Sequence, residues 1–344
     1  MKDLLNQVVA GESLSEAEAA AAMEQIMEGR ATPAQIAALL TALKLKGETI
    51  DEITGFARVM RSKATPITSS RSLLVDTCGT GGDGANTFNI STAAALVLAG
   101  AGVNVAKHGN RSVSSRCGSA DVLEALGVNL DLTPTEAGSC LDQVGITFLY
   151  APLLHGAMKF AAAPRRELGF RTVFNILGPL TNPAGARAQV LGVYSPKLVP
   201  VLAEVLLRLG ARRAFVVHGS GGMDEVSPVG PALVCEVEDG HIHEYKLDPA
   251  VYGFAPADAR QLAGGSPEEN ANIILKLLNG DKGPRYDAVV MNAALGLMAA
   301  GMAGDFAAGV KLAARSIDSG AALAKLEEMV RFTTGCGEAR VAGL

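Results

Sequence analysis

A glycine-rich stretch at 76–92, DTCGTGGDGANTFNIST, lies between an apolar segment and a segment with the composition of a helix. Glycine loses more conformational entropy on folding than other residues, so its clustering indicates unusual backbone angles or the close approach of a ligand. Backbone N–H groups ahead of a helix can bind phosphate, and Ser91 and Thr92 would add hydroxyl groups there. The stretch matches neither the Walker loop nor GxGxxG. It therefore indicates either a phosphate site or a tight structural turn.

A second polar segment, KHGNRSVSSRCGSAD at 107–121, directly follows a predicted strand. Open α/β sheets bind their ligands beyond the carboxyl ends of the strands. The alternative is a solvated polar loop, which usually contains more acids and fewer hydroxyl groups than this segment does. We therefore interpret the segment as part of a binding site.

A third loop, HGSGGMDEVSP at 218–228, also follows a predicted strand and contains the adjacent carboxylates Asp224 and Glu225. Carboxylate oxygens can bind Mg²⁺ directly or through water. Adjacent acids are common on protein surfaces, so this loop is weak evidence when it is taken alone. Three polar loops of this kind at strand ends together predict an anion site that contains a metal ion.

Three arginines, Arg165, Arg166 and Arg171, lie within the segment 163–185. A guanidinium group can bind a carboxylate through two parallel hydrogen bonds. Salt bridges to local acids such as Glu167 are an equally good interpretation of each arginine.

The histidines show no metal-binding pattern. His241 and His243 lie on one face of a predicted hairpin strand, and because no third ligand is in view we interpret them as a surface pair. We interpret His218 as structural and leave the role of His155 open.

The composition is that of an acidic protein with a substantial core. The 344 residues include 30 Lys and Arg against 35 Asp and Glu, for a net charge of −5, and 49% are hydrophobic. Nucleic-acid-binding proteins usually carry a basic excess, which is missing here, so an anionic ligand would need a local site. Five cysteines without metal-like spacing favour reduced thiols and a cytoplasmic location.

Neither the N-terminal residues nor the most apolar segment has the pattern of a targeting or membrane-spanning segment. The N-terminal residues contain early acids and no continuous apolar run, so we expect no signal peptide. The most apolar segment, 288–304, is shorter than the ~20 residues of a membrane-spanning helix and contains Asn292. We expect this segment to be a buried strand that leads into a buried helix.

Two sequence patterns divide the chain. Residues 1–64 show helical spacing of apolar residues, with Ser15 and Glu18 placed for a capping box and Pro33 placed at a helix start. From residue 72 onward short β-rich runs alternate with helical runs, which predicts a largely parallel sheet covered by helices. Asp239-Gly240 between two alternating runs predicts an antiparallel hairpin.

The predicted fold is therefore a small all-helical domain plus a larger α/β domain with a mostly parallel central sheet and an antiparallel hairpin. We expect the helical domain to span residues 1–68 and to be completed by part of residues 156–190. The α/β domain would span residues 69–344.

Four motifs in this order and spacing carry a family resemblance: GTGGDGANTFNIST, KHGNRSVSSRCGSADVLEALG, RRELGFRTVFNILGPLTNP and GMDEVSP. Together they resemble the anthranilate phosphoribosyltransferase family of tryptophan biosynthesis, over essentially the whole chain. The resemblance implies a fold shared with pyrimidine nucleoside phosphorylases, a homodimer assembled through the helical domains, and dependence on Mg²⁺. It also implies transfer of a phosphoribosyl group from phosphoribosyl diphosphate to anthranilate, with no covalent nucleophile.

The same resemblance implies site residues. Those expected to bind phosphoribosyl diphosphate are Gly79, Gly82, Asp83, Thr87, Asn89, Ile90, Ser91, Thr92, Lys107, His108, Gly109, Asn110, Arg111, Ser112, Val113, Ser114, Ser115 and Ser119. Those expected to bind anthranilate are Gly79, Asn110 and Arg165. Those expected to bind Mg²⁺ are Ser91, Asp224 and Glu225. The segment that begins at Lys107 is expected to fold as a loop over the phosphoribosyl group.

Three other functions are alternatives to phosphoribosyl transfer. A pyrimidine nucleoside phosphorylase would cleave a nucleoside with phosphate, but the KHGNR sequence at 107–111 fits the transferase family better. A nucleic-acid-binding relative without catalysis should have a basic surface and should have lost Asp224 and Glu225. A purely structural dimer would leave the three polar loops unexplained.

Overall fold

The N-terminal part of the chain folds as four helices. Their residue ranges are α1 Lys2–Val9, α2 Glu16–Met27, α3 Pro33–Lys46 and α4 Ile50–Lys63. The predicted capping box is confirmed, since the Ser15 side chain accepts from the Glu18 N–H and the Glu18 side chain accepts from the Ser15 N–H. Pro33 is the first residue of α3, as predicted. The computed structural model describes residues 1–112 and 116–341, with only the backbone for residues 339–341.

A seven-stranded sheet forms the centre of the remaining chain. Its strands are β1 Val75–Gly79, β2 Val105–Gly109, β3 Ile146–Tyr150, β4 Ala188–Gly192, β5 Arg213–His218, β6 Ala232–Glu238 and β7 His241–Leu247. The spatial order is β3-β2-β1-β4-β5-β6-β7, with β1 to β5 parallel and β6 and β7 antiparallel. Both Asp239 and Gly240 have positive φ, as the predicted hairpin requires.

The order of the strands reverses next to β1. The chain passes from β1 outward to β2 and β3, and then returns to the other side of β1 as β4. Gly79 and Gly192 pair at the carboxyl ends of β1 and β4. Ligands of open α/β sheets bind at such a reversal point, because the connections on either side diverge and leave a crevice.

Eleven further helices occur in the described residues. They are α5 Ile90–Gly100, α6 Ser119–Ala125, α7 Pro134–Val144, α8 Ala151–Leu154, α9 Lys159–Leu168, α10 Phe174–Leu177, α11 Leu198–Arg208, α12 Pro267–Leu278, α13 Pro284–Ala299, α14 Phe306–Asp318 and α15 Ala321–Val341. α9 packs against α2 and α3, and Val173 and Phe174 belong to the same buried cluster as Phe56 of α4. Among the described residues, none of the helices has the length and apolarity needed to cross a membrane.

One prediction about the sheet was wrong, and one strand was not predicted. The segment 288–304 contains no strand: α13 runs from Pro284 to Ala299, and the Asn292 side chain bonds to the carbonyls of Val226 and Ala288. A fully buried apolar run has no polar face, so its periodicity does not separate a strand from a helix. Strand β4 was not predicted, although all five of its residues are buried.

Candidate active site

A cavity of about 990 Å³ lies at the carboxyl ends of the parallel strands. The loops that follow β1, β2 and β5 all line it, as the sequence predicted for strand-end loops. The predicted site residues on its wall are Gly79, Gly82, Asp83, Thr87, Asn89, Ser91, Thr92, Lys107, His108, Gly109, Asn110, Arg111, Ser112, Ser119, Arg165, Asp224 and Glu225. Val113, Ser114 and Ser115 lie outside the described residues.

Ile90 is the described site residue that does not reach this wall. Its side chain is fully buried in the core of the α/β part, and its N–H donates to the carbonyl of Phe88. Ile90 therefore begins helix α5 and orients its neighbour Ser91, and a direct contact of its side chain with a ligand is excluded by burial.

Two glycines let Asp224 reach the sheet. A Cβ atom built on Gly79 would lie 2.3 Å from Asp224 Oδ2, and one built on Gly192 would lie 1.5 Å from the Asp224 carbonyl oxygen. No side chain fits at either position. The Gly81 N–H donates to Asp224 Oδ2 over 2.9 Å. The glycine-rich stretch thus makes room for Asp224 within the protein, in addition to the ligand-binding role that its sequence suggests.

Three carboxylates meet in the cavity. Oxygen atoms of Asp83, Asp224 and Glu225 all lie within 4.8 Å of one another. Burial, followed by the charge of Asp83, raises the pKa of Asp224 to about 6, and burial together with the charge of Asp224 raises the pKa of Glu225 well above its usual value. A divalent cation would relieve this repulsion, and Mg²⁺ prefers oxygen ligands of this kind.

The donors around the carboxylates hold them in place. The Ala85 N–H donates to Asp83 Oδ1 over 3.1 Å, and the Asp224 N–H donates to Asp83 Oδ2 over 3.3 Å. Asp83 was predicted only as a phosphoribosyl diphosphate residue, so its place in the carboxylate cluster was missed. Asp83 comes directly after a run of three glycines and a threonine, and the loop turns back there toward the end of β5. The spacing of residues in the sequence does not reveal this turn.

The predicted placement of Lys107 in a loop was wrong. Lys107 belongs to strand β2 and is 3% exposed, and its ammonium donates to the Thr77 carbonyl with Ser91 Oγ at 3.4 Å. Burial lowers its pKa, while the charge of Asp76 acts in the opposite direction. The ammonium therefore lies at the cavity wall next to Ser91, a predicted metal ligand, and the loop begins after Gly109.

Arg111 is engaged within its own loop. Its guanidinium donates to Asp121 over 3.1 Å and to both carboxylate oxygens of Glu124, and its Nε donates to Tyr150 Oη. Asp121 also accepts from the Ser112 and Gly118 N–H groups. These bonds fix the base of the loop against α6, so the side chain of Arg111 acts here on loop geometry.

A buried histidine pair forms another part of the wall. The Nε2 atoms of His108 and His155 lie 3.2 Å apart, and both residues are buried. Burial, followed by the effect of His155, lowers the pKa of His108 to about 3, so both rings are neutral at pH 7 and one donates to the other. The sequence left His155 without a role.

The other histidines have structural roles or lie on the protein surface. His218 Nδ1 lies 2.8 Å from the Val193 carbonyl, in agreement with a structural role. His241 and His243 are both exposed, with ring centroids 6.4 Å apart, which confirms the surface pair.

The arginines of the segment 163–185 differ in environment. The guanidinium of Arg165 lies over the Phe174 ring at 4.9 Å, and burial lowers its pKa. Arg166 is exposed. Arg171 lies over the Tyr194 ring at 4.6 Å. In the described part of the chain none of these three forms an ion pair, so the alternative of local salt bridges is not observed.

Asn270 is a wall residue that the sequence analysis missed. Its Nδ2 donates to Asn89 Oδ1 over 2.9 Å, and its Oδ1 accepts from the Gly265 N–H. Asn89 in turn donates to the Cys117 carbonyl. A signal was present, since Asn270 stands at helical spacing from Ile274 on the apolar face of α12, where a polar residue needs a partner.

Comparison with known proteins agrees with this site. The helical bundle domain of a glycosyl transferase family matches residues 2–64, and the a/b domain of that family matches residues 71–323. The chain is 65% identical over 343 residues to anthranilate phosphoribosyltransferase of Pelotomaculum thermopropionicum, covering 99% of both proteins. It is 58% identical over 333 residues to that of Symbiobacterium thermophilum, covering 97% of this chain and 98% of the relative. The chain belongs to the anthranilate phosphoribosyltransferase family.

Solved structures of anthranilate phosphoribosyltransferases share the fold. The crystal structure of the Thermus thermophilus protein superposes with a TM-score of 0.92 at 48% identity, covering 96% of this chain and 99% of that one. The Saccharomyces cerevisiae protein in complex with PRPP and Mg superposes with a TM-score of 0.88 at 28% identity, covering 97% of each chain. The predicted family and fold class are confirmed, and the pyrimidine nucleoside phosphorylase alternative is set aside.

For this anthranilate phosphoribosyltransferase family member we expect Mg²⁺ to raise the Tm, because a cation that binds the folded carboxylate cluster stabilises the folded state. Asp224→Asn combined with Glu225→Gln should remove this rise and most of the activity, while the metal-free protein stays folded. Calorimetry with Mg²⁺ and with EDTA measures the effect. Glu327→Gln, an exposed carboxylate on α15, is the matched control. An equal rise in the double variant would contradict the metal site.

Proposed function

We propose that this protein transfers the 5-phosphoribosyl group from phosphoribosyl diphosphate to the amino group of anthranilate. The products are N-(5-phosphoribosyl)anthranilate and diphosphate, in tryptophan biosynthesis. The observation that carries the proposal is one cavity whose wall combines a glycine-rich helix start, a carboxylate cluster and the free guanidinium of Arg165. High identity to curated anthranilate phosphoribosyltransferases over nearly the full length supports the same reaction.

We assign the two substrates to adjoining parts of this wall, with Gly79 and Asn110 shared between them. The residues that would bind phosphoribosyl diphosphate are Gly79, Gly82, Asp83, Thr87, Asn89, Ile90, Ser91 and Thr92, together with Lys107 to Ser115 and Ser119. Gly79, Asn110 and Arg165 would bind anthranilate. These assignments rest on the motif resemblance and are supported by the common cavity, which all of the described residues except Ile90 line.

We assign Mg²⁺ as the metal, with Ser91, Asp224 and Glu225 as its ligands and Asp83 added from the geometry. The support is the oxygen-only donor set and the mutual proximity of the three carboxylates. A bound Mg²⁺ would supply positive charge where the departing diphosphate gains negative charge.

The residues of the chain perform the rest of the chemistry by position and by electrostatics. The aromatic amine of anthranilate is neutral at pH 7, so it can attack the ribosyl carbon without a strong base. The bond to diphosphate breaks, with positive charge developing on the ribosyl carbon, as the C–N bond forms. The nitrogen then loses one proton to water or to the departing diphosphate. The start of α5 lies at the cavity wall, where its dipole and the hydroxyls of Ser91 and Thr92 would stabilise the departing anion. Holding both substrates in one cavity supplies the orientation, and no covalent nucleophile is needed.

We also propose a homodimer that forms through the helical domains. The support is that the helical part exposes large apolar side chains, with Val9 66% exposed and Leu45 84% exposed. We further propose residues 1–68 with part of 156–190 as the helical domain and residues 69–344 as the α/β domain. A cytoplasmic location is supported by the odd number of cysteines and by their spacing, which does not suggest a disulfide framework.

A fluorescence assay tests the reaction. Protein mixed with anthranilate, phosphoribosyl diphosphate and Mg²⁺ should consume anthranilate, and the loss of its fluorescence should stop when EDTA is added. Constant fluorescence with folded protein would refute the proposed function.

Arg165→Ala should raise the KM for anthranilate, because a charge-assisted hydrogen bond to the carboxylate is lost. Such a loss costs about 1.5–3 kcal/mol, on the order of tenfold to a hundredfold in binding. The KM for phosphoribosyl diphosphate should change far less. The adjacent, exposed Arg166→Ala is the control. If Arg166→Ala reproduces the anthranilate defect and Arg165→Ala does not, the assignment is one residue off.

Sedimentation equilibrium at micromolar concentration tests the dimer. The protein should sediment as a dimer, and Val9→Glu with Leu45→Glu should shift it toward monomer, because a carboxylate would be buried unpaired in an apolar contact. Lys246→Glu, an exposed substitution on β7, serves as the control for added charge. A wild-type protein that stays monomeric contradicts the proposal.

A further inference from the structure

Arg171 connects two parts of the molecule at the cavity. It lies between α9 and α10, directly before Thr172 and the buried residues Val173 and Phe174, which pack in the cluster shared with the N-terminal helices. Its side chain lies at the cavity wall, where it meets residues that follow strands β1 and β4.

The first of these contacts is Tyr194. The guanidinium of Arg171 lies over the tyrosine ring at 4.6 Å from its centroid, a distance at which a cation is attracted to the ring face. The backbone N–H of Tyr194 donates to Thr80 Oγ1 over 3.1 Å, which joins the main chain of Tyr194 to the glycine-rich stretch. The position of the guanidinium is therefore set by the stretch that follows β1.

The second contact is Gly82. A Cβ built on Gly82 would lie 2.4 Å from Arg171 Nη2 and 2.6 Å from its Cζ, and the φ of Gly82 is +69°. Only glycine combines this backbone angle with room for the guanidinium against the main chain. The charged end of Arg171 thus lies on the backbone of the glycine-rich stretch.

The hydrogen-bonding capacity of Arg171 is unused in the described part of the chain. A guanidinium carries five N–H donors, and here none of them meets a carboxylate or another acceptor of the described residues. The next residue shows the same pattern, because the Thr172 hydroxyl is buried at the cavity wall without a partner. Buried polar groups are usually bonded, so the unpaired Thr172 hydroxyl indicates a ligand, and the half-buried guanidinium of Arg171 lies beside it with its donors available.

The charges in the cavity favour a phosphate ligand. Asp83, Asp224 and Glu225 repel an anion from the same wall, and a fixed cation beside Gly82 offsets that repulsion. Arg165 lies over Phe174, on the side that we assign to anthranilate, whereas Arg171 lies on the stretch that we assign to the diphosphate. An arginine matches phosphate oxygens through paired N–H donors.

We propose that Arg171 binds the diphosphate group of phosphoribosyl diphosphate across Gly82, an inference that rests on the proposed function. The residue is then a binding residue for the leaving group, and its stacking on Tyr194 sets the guanidinium in place before the substrate arrives. This arrangement lowers the entropy lost by the side chain on binding.

Calorimetric titration with inorganic diphosphate and Mg²⁺ tests the inference apart from turnover. Arg171→Gln should lower the affinity for inorganic diphosphate, and the affinity for phosphoribosyl diphosphate, on the order of tenfold to a hundredfold. Arg171→Lys should recover part of both, because it restores the charge without the paired donors. The KM for anthranilate should stay unchanged. Arg331→Gln, an exposed arginine on α15, is the control and should leave all three constants unchanged.

The outcomes separate the inference from its alternatives. An Arg171→Gln protein with unchanged diphosphate affinity overturns the inference, and so does one in which only the KM for anthranilate rises. If Arg171→Gln unfolds, the decision falls to Arg171→Lys, whose diphosphate affinity must be reduced for the inference to stand. If the wild type binds diphosphate through Arg171 but consumes no anthranilate, the proposed function fails while the anion site remains.

Discussion

The contact of Asp224 with the ends of β1 and β4 is the constraint on which the site depends. The carboxylate reaches its place only because residues 79 and 192 have no side chain, and these two glycines pair across the reversal point of the sheet. The same contact draws the loop after β5 against the loop after β1, which brings Glu225 to Asp83. The shape of the cavity, the carboxylate cluster and the position of the glycine-rich stretch therefore all depend on the close approach of Asp224 to the ends of β1 and β4.

Packing the three carboxylates close together is electrostatically unfavourable, and it occurs at the place where the chemistry is proposed. Burial raises the pKa of Asp224 to about 6, which means that the ionised cluster is unfavourable without a cation. A protein selected for stability alone would not pack three carboxylates around a cavity. The cost becomes useful when a cation and an anionic substrate bind together, because the cation then offsets the repulsion between the carboxylates and the anion.

The features that the sequence predicted correctly are those determined by interactions between residues close together in the chain. The Ser15 capping box, the start of α3 at Pro33 and the Asp239-Gly240 turn each involve residues within a few positions of one another, and all three were predicted. The helical conformation of 288–299 was missed because a buried run has no polar face. The Asp224–Gly79 and Asn270–Asn89 contacts join residues more than a hundred positions apart, and only the assembled sheet brings them together.

The cavity also depends on how the helical part packs on the sheet. Arg61 of α4 donates through Nε to the Leu180 carbonyl over 2.6 Å and through Nη1 to the Leu209 carbonyl over 3.1 Å. Burial lowers its pKa to about 10, so the guanidinium stays charged at pH 7 and its bonds remain charge-assisted. Arg165 and Arg171 lie on the segment that this packing positions, while the carboxylates lie on the sheet. Two cations of the site, Arg165 and Arg171, therefore come from a segment packed against the helical part, whereas Lys107 and the carboxylates come from the sheet and the loops that follow its strands.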